Sequence, residues 1–154
     1  MISLAGILLT RAVTESAAFV CRLKELLETR NQYSSDELHQ KLQQILLGEK
    51  NSGLPESVNI LTLIDRMDKQ IPGVRKEYDG LSEFAHPNWS GVLGLFGQHN
   101  DQLTFMQFGR GATERSTAKE IACDLLASSL GVFEYAYKVI SDQLPKFLPE
   151  LEPL

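Results

Sequence analysis

Apolar residues recur every three or four positions through most of this chain, a spacing that fits helices and little else. Over the first thirty residues they are Leu4, Leu8, Ala12, Phe19, Leu23 and Leu26, widened by Leu9, Val13, Val20 and Leu27, which predicts a first helix from Ile2 to about Arg30. Asn31 to Ser34 is polar, and Ser34-Ser-Asp-Glu37 has the form of a capping box, in which a hydroxyl and a carboxylate satisfy the free amides at a helix start. A second helix then runs to about Leu47 with Leu38, Leu42, Ile45 and Leu46. Gly48 to Pro55 reads as a loop. Ile60, Ile64, Met67 and Ile71 predict a third helix that Pro72 stops, and Gly73 permits a sharp turn. The fourth helix is short, from Val74 to about Ala85, with Val74, Tyr78, Leu81 and Ala85 on one face. Pro87 ends it, because a residue before proline is pushed out of the helical region.

Between Gly91 and Gly109 the period changes, and two short apolar runs around Gln98-His-Asn-Asp101 predict a β-hairpin that must pack against helices to be stable. Thr117 and Glu120 form a second capping box. The last helix runs from about Thr117 to Leu144, with Ile121, Leu125, Val132, Ala136 and Ile140 on one side and Ala122, Leu126, Phe133 and Tyr137 beside them. So broad a stripe predicts a central helix. Pro145, Pro149 and Pro153 then mark a non-helical tail. The expected architecture is mainly α. It is an up-and-down helical bundle of four to five helices in one domain over residues 1–145, with a small hairpin insertion at about 91–109 and a Pro-containing tail over 146–154.

A chain of 154 residues can bury about two-thirds of its unfolded surface, so no disulfide or metal staple is needed. Cys21 and Cys123 each lie in an apolar helical stretch with no second ligand at metal spacing, and are expected to be buried free thiols in a reducing cytoplasm. The net charge of −5, with scattered basic residues, weighs against broad phosphate-backbone binding. Met1 to Thr10 has the apolarity of a signal-peptide core but no preceding positive residues, and it is too short to span a bilayer. Arg11 and Glu15 follow at helical spacing, so an amphipathic first helix accounts for it; the helix begins without a visible cap, which leaves open a start inside a longer protein.

The densest group of polar and aromatic residues is Tyr78-Asp-Gly-Leu-Ser-Glu-Phe-Ala-His-Pro-Asn-Trp89. Tyr78, Ser82 and His86 are four apart and share a helical face, and an imidazole at a helix end is favoured in its charged form by the unpaired carbonyls there. His86 is thereby placed for proton donation near neutral pH. The competing role is structural: His86 bonding a last carbonyl, Asn88 supporting the turn and Trp89 plugging the core. Arg11 and Glu15, one turn apart, read first as a surface ion pair. Facing inward they would require a hydrogen-bonded network, with a histidine as a partner. The candidate pocket comprises Arg11, Glu15, Tyr78, Ser82, His86, Asn88 and Trp89. His39 and His99 read as solvated, and Gly91, Gly94 and Gly97 lack the strand-loop-helix setting and the lysine of a phosphate loop.

The opening Leu-Leu-Thr-Arg-Ala-Val-Thr-Glu-Ser-Ala-Ala and the later Tyr-Asp-Gly-Leu-Ser-Glu-Phe-Ala-His-Pro-Asn resemble uncharacterised bacterial helical proteins related to the HEPN superfamily. The resemblance implies an up-and-down bundle, often dimeric, and either metal-independent RNA cleavage or binding of RNA, nucleotides or proteins without cleavage. Nuclease members carry an arginine four to six residues before the histidine. Leu81, Gly80 and Asp79 stand there before His86, and the nearest upstream arginine is Arg75. Cleavage is thus left without its electrostatic catalyst unless Arg11 substitutes.

The favoured expectation is a non-catalytic HEPN-like module for protein interaction or regulation, more an interaction protein than an enzyme, in the cytoplasm. One alternative is a metal-independent ribonuclease using His86 with Arg11 and Tyr78 or Ser82. Another is a nucleotide or small-ligand site between the first and fourth helices. No cofactor, metal or membrane is expected. The partners considered are a second copy, another protein, and RNA, which the acidic balance disfavours.

Overall fold

The computed structural model describes residues 4–48, 55–86, 97–99, 106–108 and 116–151. Helix α1 spans Leu4–Glu28, and a single 3-10 turn at Arg30–Gln32 leads to α2, Ser35–Leu46. Helices α3, Ile60–Gln70, and α4, Val74–Ala85, follow, and the long α5 covers Ser116–Leu151. Between α4 and α5 lie two three-residue strands, β1 (Gly97–His99) and β2 (Met106–Phe108), paired antiparallel with Gly97 opposite Phe108 and His99 opposite Met106. The remainder of the expected hairpin region, 91–96, 100–105 and 109, lies outside the described residues.

The helix starts follow from local chemistry. At α2 the Ser34 hydroxyl accepts from the Glu37 amide and the Glu37 carboxylate accepts from the Ser34 amide, completing the box. That bonding holds the Glu37 carboxyl below its usual range. Asn59 caps α3 by accepting from the Leu61 amide. Gly73 adopts a φ of 106°, a conformation open to glycine, and lets α4 fold back along α3. Asp68 Oδ1 then accepts from the amides of Gly73 at 2.9 Å and Arg75 at 3.0 Å, satisfying two donors at the start of α4.

Helix α1 packs against α2, α3, α4 and α5, with α5 as its most extensive partner. Thr14 meets Ser129, and Lys24 lies over the Tyr135 ring, so contacts advance together along both helices and α1 and α5 run parallel. Gln70, at the end of α3, bonds Glu25 of α1, while Tyr78, about one turn into the following α4, bonds Glu15; α4 therefore runs antiparallel to α1. The main core joins Ile7, Ala17 and Ala18 of α1 to Leu63, Ile64, Met67, Val74, Tyr78, Leu81, Ala122 and Leu125. A second cluster of Leu27, Leu38 and Phe147 closes the other end. Helix α1 is long and apolar enough to cross a membrane by length and composition. The same apolarity suits the hub of a bundle, and its Arg11, Glu15, Arg22 and Lys24 all have polar partners within the protein.

Three expectations are corrected. The central helix is α1, not the last one. The breadth of the α5 stripe has another cause, because Leu125 and Ala136 are buried while Phe133 and Tyr137 are exposed. The tail over 146–154 is not wholly non-helical, since α5 continues through Pro145 and Pro149 to Leu151. An internal proline forfeits a backbone bond, but Pro145 is exposed and two residues later Phe147 is buried against Leu27 and Leu38, which offsets that loss. Finally, Cys21 is buried as expected, but Cys123 is exposed.

If Phe147 holds this last turn, Phe147→Ala costs about 3–5 kcal/mol. Urea unfolding checks this, with loss of helicity at the C-terminus; a variant as stable as the parent contradicts the docking of the last turn.

Candidate functional site

Tyr78 is 2% exposed and sits where α4 crosses α1. Its hydroxyl donates to Glu15 Oε1 at 2.6 Å and accepts from Arg11 Nη2 at 3.1 Å. Arg11 and Glu15 face each other at 3.7 Å, and the Arg11 guanidinium carbon lies 5.2 Å from the centre of the Tyr78 ring, within cation-π range. Arg11 Nε is buried and makes no hydrogen bond among the described residues. The Tyr78 hydroxyl is pushed above its ordinary pKa, first by burial and then by its bond to Glu15, with Arg11 opposing. It therefore remains a neutral donor at physiological pH.

The pair of the first helix thus faces inward and is only partly exposed, correcting its reading as a surface pair. The partner that completes the network is a tyrosine and not a histidine. Each charge is engaged by its neighbour, and the group acts as a brace between α1 and α4.

The other sequence candidates are not gathered here. Ser82 Oγ donates to the Tyr78 backbone carbonyl at 2.8 Å, so its hydroxyl serves the helix itself. His86 is the C-cap of α4, with φ −78° and ψ 143°, the extended geometry imposed by the proline that follows. Its amide donates to the Ser82 carbonyl at 3.1 Å and its side chain is exposed. Eight positions beyond Tyr78, it stands about 12 Å farther along the axis and about 80° around it. Spacing of four suggests a shared face, but the drift accumulates over two steps. Asn88 and Trp89 lie outside the described residues, as do Gly91 and Gly94. Arg75, the nearest upstream arginine, is held between Asp65 and Asp79. Among the described residues no group of three His, Cys, Asp or Glu side chains is arranged to hold a metal ion.

Two features were missed in the sequence. Thr14 and Ser129 are fully buried and share a hydrogen bond at 2.9 Å across α1 and α5, while the Thr14 hydroxyl also donates to the Thr10 carbonyl. Thr10 and Thr14, four apart in an apolar helix, were the available signal. Lys24 is 7% exposed, with its ammonium paired to Glu28 at 3.2 Å and 5.2 Å from the Tyr135 ring centre. Nothing in its local sequence marks it as buried.

Compared with models of known protein families, curated proteins and solved structures, the chain matches none of them.

Removing the hydroxyl in Tyr78→Phe leaves the Arg11 and Glu15 charges without their buried partner, and should cost about 1–3 kcal/mol by urea unfolding. A second expectation concerns Glu77 on α4, whose carboxyl is raised first by burial and then by Asp124 of α5. A carboxyl raised in the fold favours its protonated form, so its contribution is complete below the unfolded value and is lost as pH rises through the folded one. Glu77→Gln should therefore raise Tm at pH 7 and lose that advantage as the pH falls below 4.5. An equal shift at both pH values contradicts it.

Proposed function

We propose that this chain is a non-catalytic helical module that acts by binding other proteins, in the cytoplasm. The observation that carries the reading is an exposed apolar stripe on α5, where Leu130 is 52%, Phe133 37% and Tyr137 60% exposed. Large apolar side chains aligned on one helix face are a common mark of an interaction surface. Phe133 and Tyr137 stack on each other, with ring centroids 6.2 Å apart, so the surface is partly ordered in advance.

The polar cluster supports the same reading from the other side. Transition-state stabilisation in phosphoryl transfer needs a cation free to meet developing charge. Arg11 is committed to Tyr78 and Glu15, Arg75 to Asp65 and Asp79, and His86 stands apart from both. The likeness of the two segments to HEPN-related proteins is compatible with non-cleaving members.

Incubation with total RNA tests it. The protein is expected to leave the RNA intact, as is His86→Ala. Cleavage by the parent that is abolished in His86→Ala would replace this reading with the ribonuclease one.

A further inference from the structure

Resting on that reading, we infer that the outer face of α5 receives an amphipathic helix of another protein whose apolar stripe is bordered by lysine or arginine. Cys123, Leu126, Leu130, Phe133, Tyr137, Ile140 and Leu144, of which Leu126 and Ile140 are half-buried and the others exposed, are spaced three, four, three, four, three and four residues apart. That is the seam spacing of two helices packed along their length. The seam covers about 32 Å of α5, enough for roughly six turns of a partner.

Charge selects the partner. Beside the seam runs a second row in which every residue is exposed: Glu120, Asp124, Ala127, Gly131, Glu134, Lys138 and Asp142. Four acidic residues against one basic give this border a net charge of −3 (1 − 4 = −3). None of these charged residues forms an ion pair among the described residues. Asp124 lies close enough to Glu77 to raise the latter's carboxyl, so the acidic potential extends onto α4. A second copy docked by the same face would bring acidic border against acidic border, which is unfavourable, whereas a basic border relieves it. Gly131, at the middle of the border, has open space around a would-be Cβ, and with Ala127 it allows close approach of a backbone.

The probe is a fluorescein-labelled synthetic helix with leucines at three- and four-residue intervals and lysines beside them, measured by anisotropy against the intact protein. A matched peptide with glutamate borders is the control. We expect the lysine peptide to bind at least tenfold more tightly than the glutamate peptide, and added salt to weaken it. Leu130→Asp should reduce its affinity at least tenfold. Glu134→Lys, an exposed substitution that leaves the apolar seam intact, should reduce it severalfold, with unchanged circular dichroism for both variants. Equal binding of the two peptides, or binding indifferent to Leu130→Asp, overturns the inference. A dimer in light scattering that Leu130→Asp dissociates also overturns it, because a second copy then covers the face, yet it leaves the interaction reading standing. RNA cleavage dependent on His86 would instead remove the interaction reading itself.

Discussion

Thr14 of α1 and Ser129 of α5 are fully buried, and their mutual hydrogen bond joins the two helices along a seam to which each also brings small buried side chains, Ala17 and Ala18 from α1 and Ala122 and Ala136 from α5. Small residues let two parallel backbones approach closely, and the two hydroxyls satisfy each other where an unpaired one would cost about 1–3 kcal/mol. This seam fixes α5 to α1. Because α1 also meets α2, α3 and α4, it positions the rest of the bundle.

From that arrangement the two polar features take their separate characters. Tyr78 reaches α1 from the opposite direction of travel and ties Arg11 to Glu15, so the charges of the first helix brace the crossing of α1 and α4. The apolar breadth of α5 exceeds what α1 and α4 can cover. Leu125 and Ala136 face the core, while Leu130, Phe133 and Tyr137 remain outside it. The proposed interaction role rests on this uncovered side of α5.

Much of the fold was legible in the sequence. Ser34 and Glu37 announced the start of α2, and the Pro72-Gly73 pair placed the turn between α3 and α4, because those signals act within a few bonds. Other features depended on distant contacts. Pro145 looked like a terminator because a proline's local cost is plain, whereas the burial of Phe147 beside Leu27 and Leu38 arises from helices far apart in the chain. Similarly, Phe133 and Tyr137 joined the buried stripe by spacing alone, since periodicity tells which residues share a face and not whether another helix covers it. In the candidate site, the spacing of Arg11 and Glu15 points to a surface pair or to a histidine partner, whereas the residue that meets them is Tyr78, which lies far off in the chain; Ser82 bonds its own helix and His86 drifts off the shared face.

The two cysteines report on both halves of this account at once. Cys21 lies in the buried face of α1, with burial raising its thiol pKa, and Cys123 lies exposed on the seam of α5. Brief treatment of the native protein with a maleimide, read by mass spectrometry of the peptides, should modify Cys123 and leave Cys21 unmodified until denaturant is added. Rapid native labelling of Cys21, or protection of Cys123 in a demonstrably monomeric sample, would contradict an arrangement with α1 at the centre and the α5 stripe facing outward.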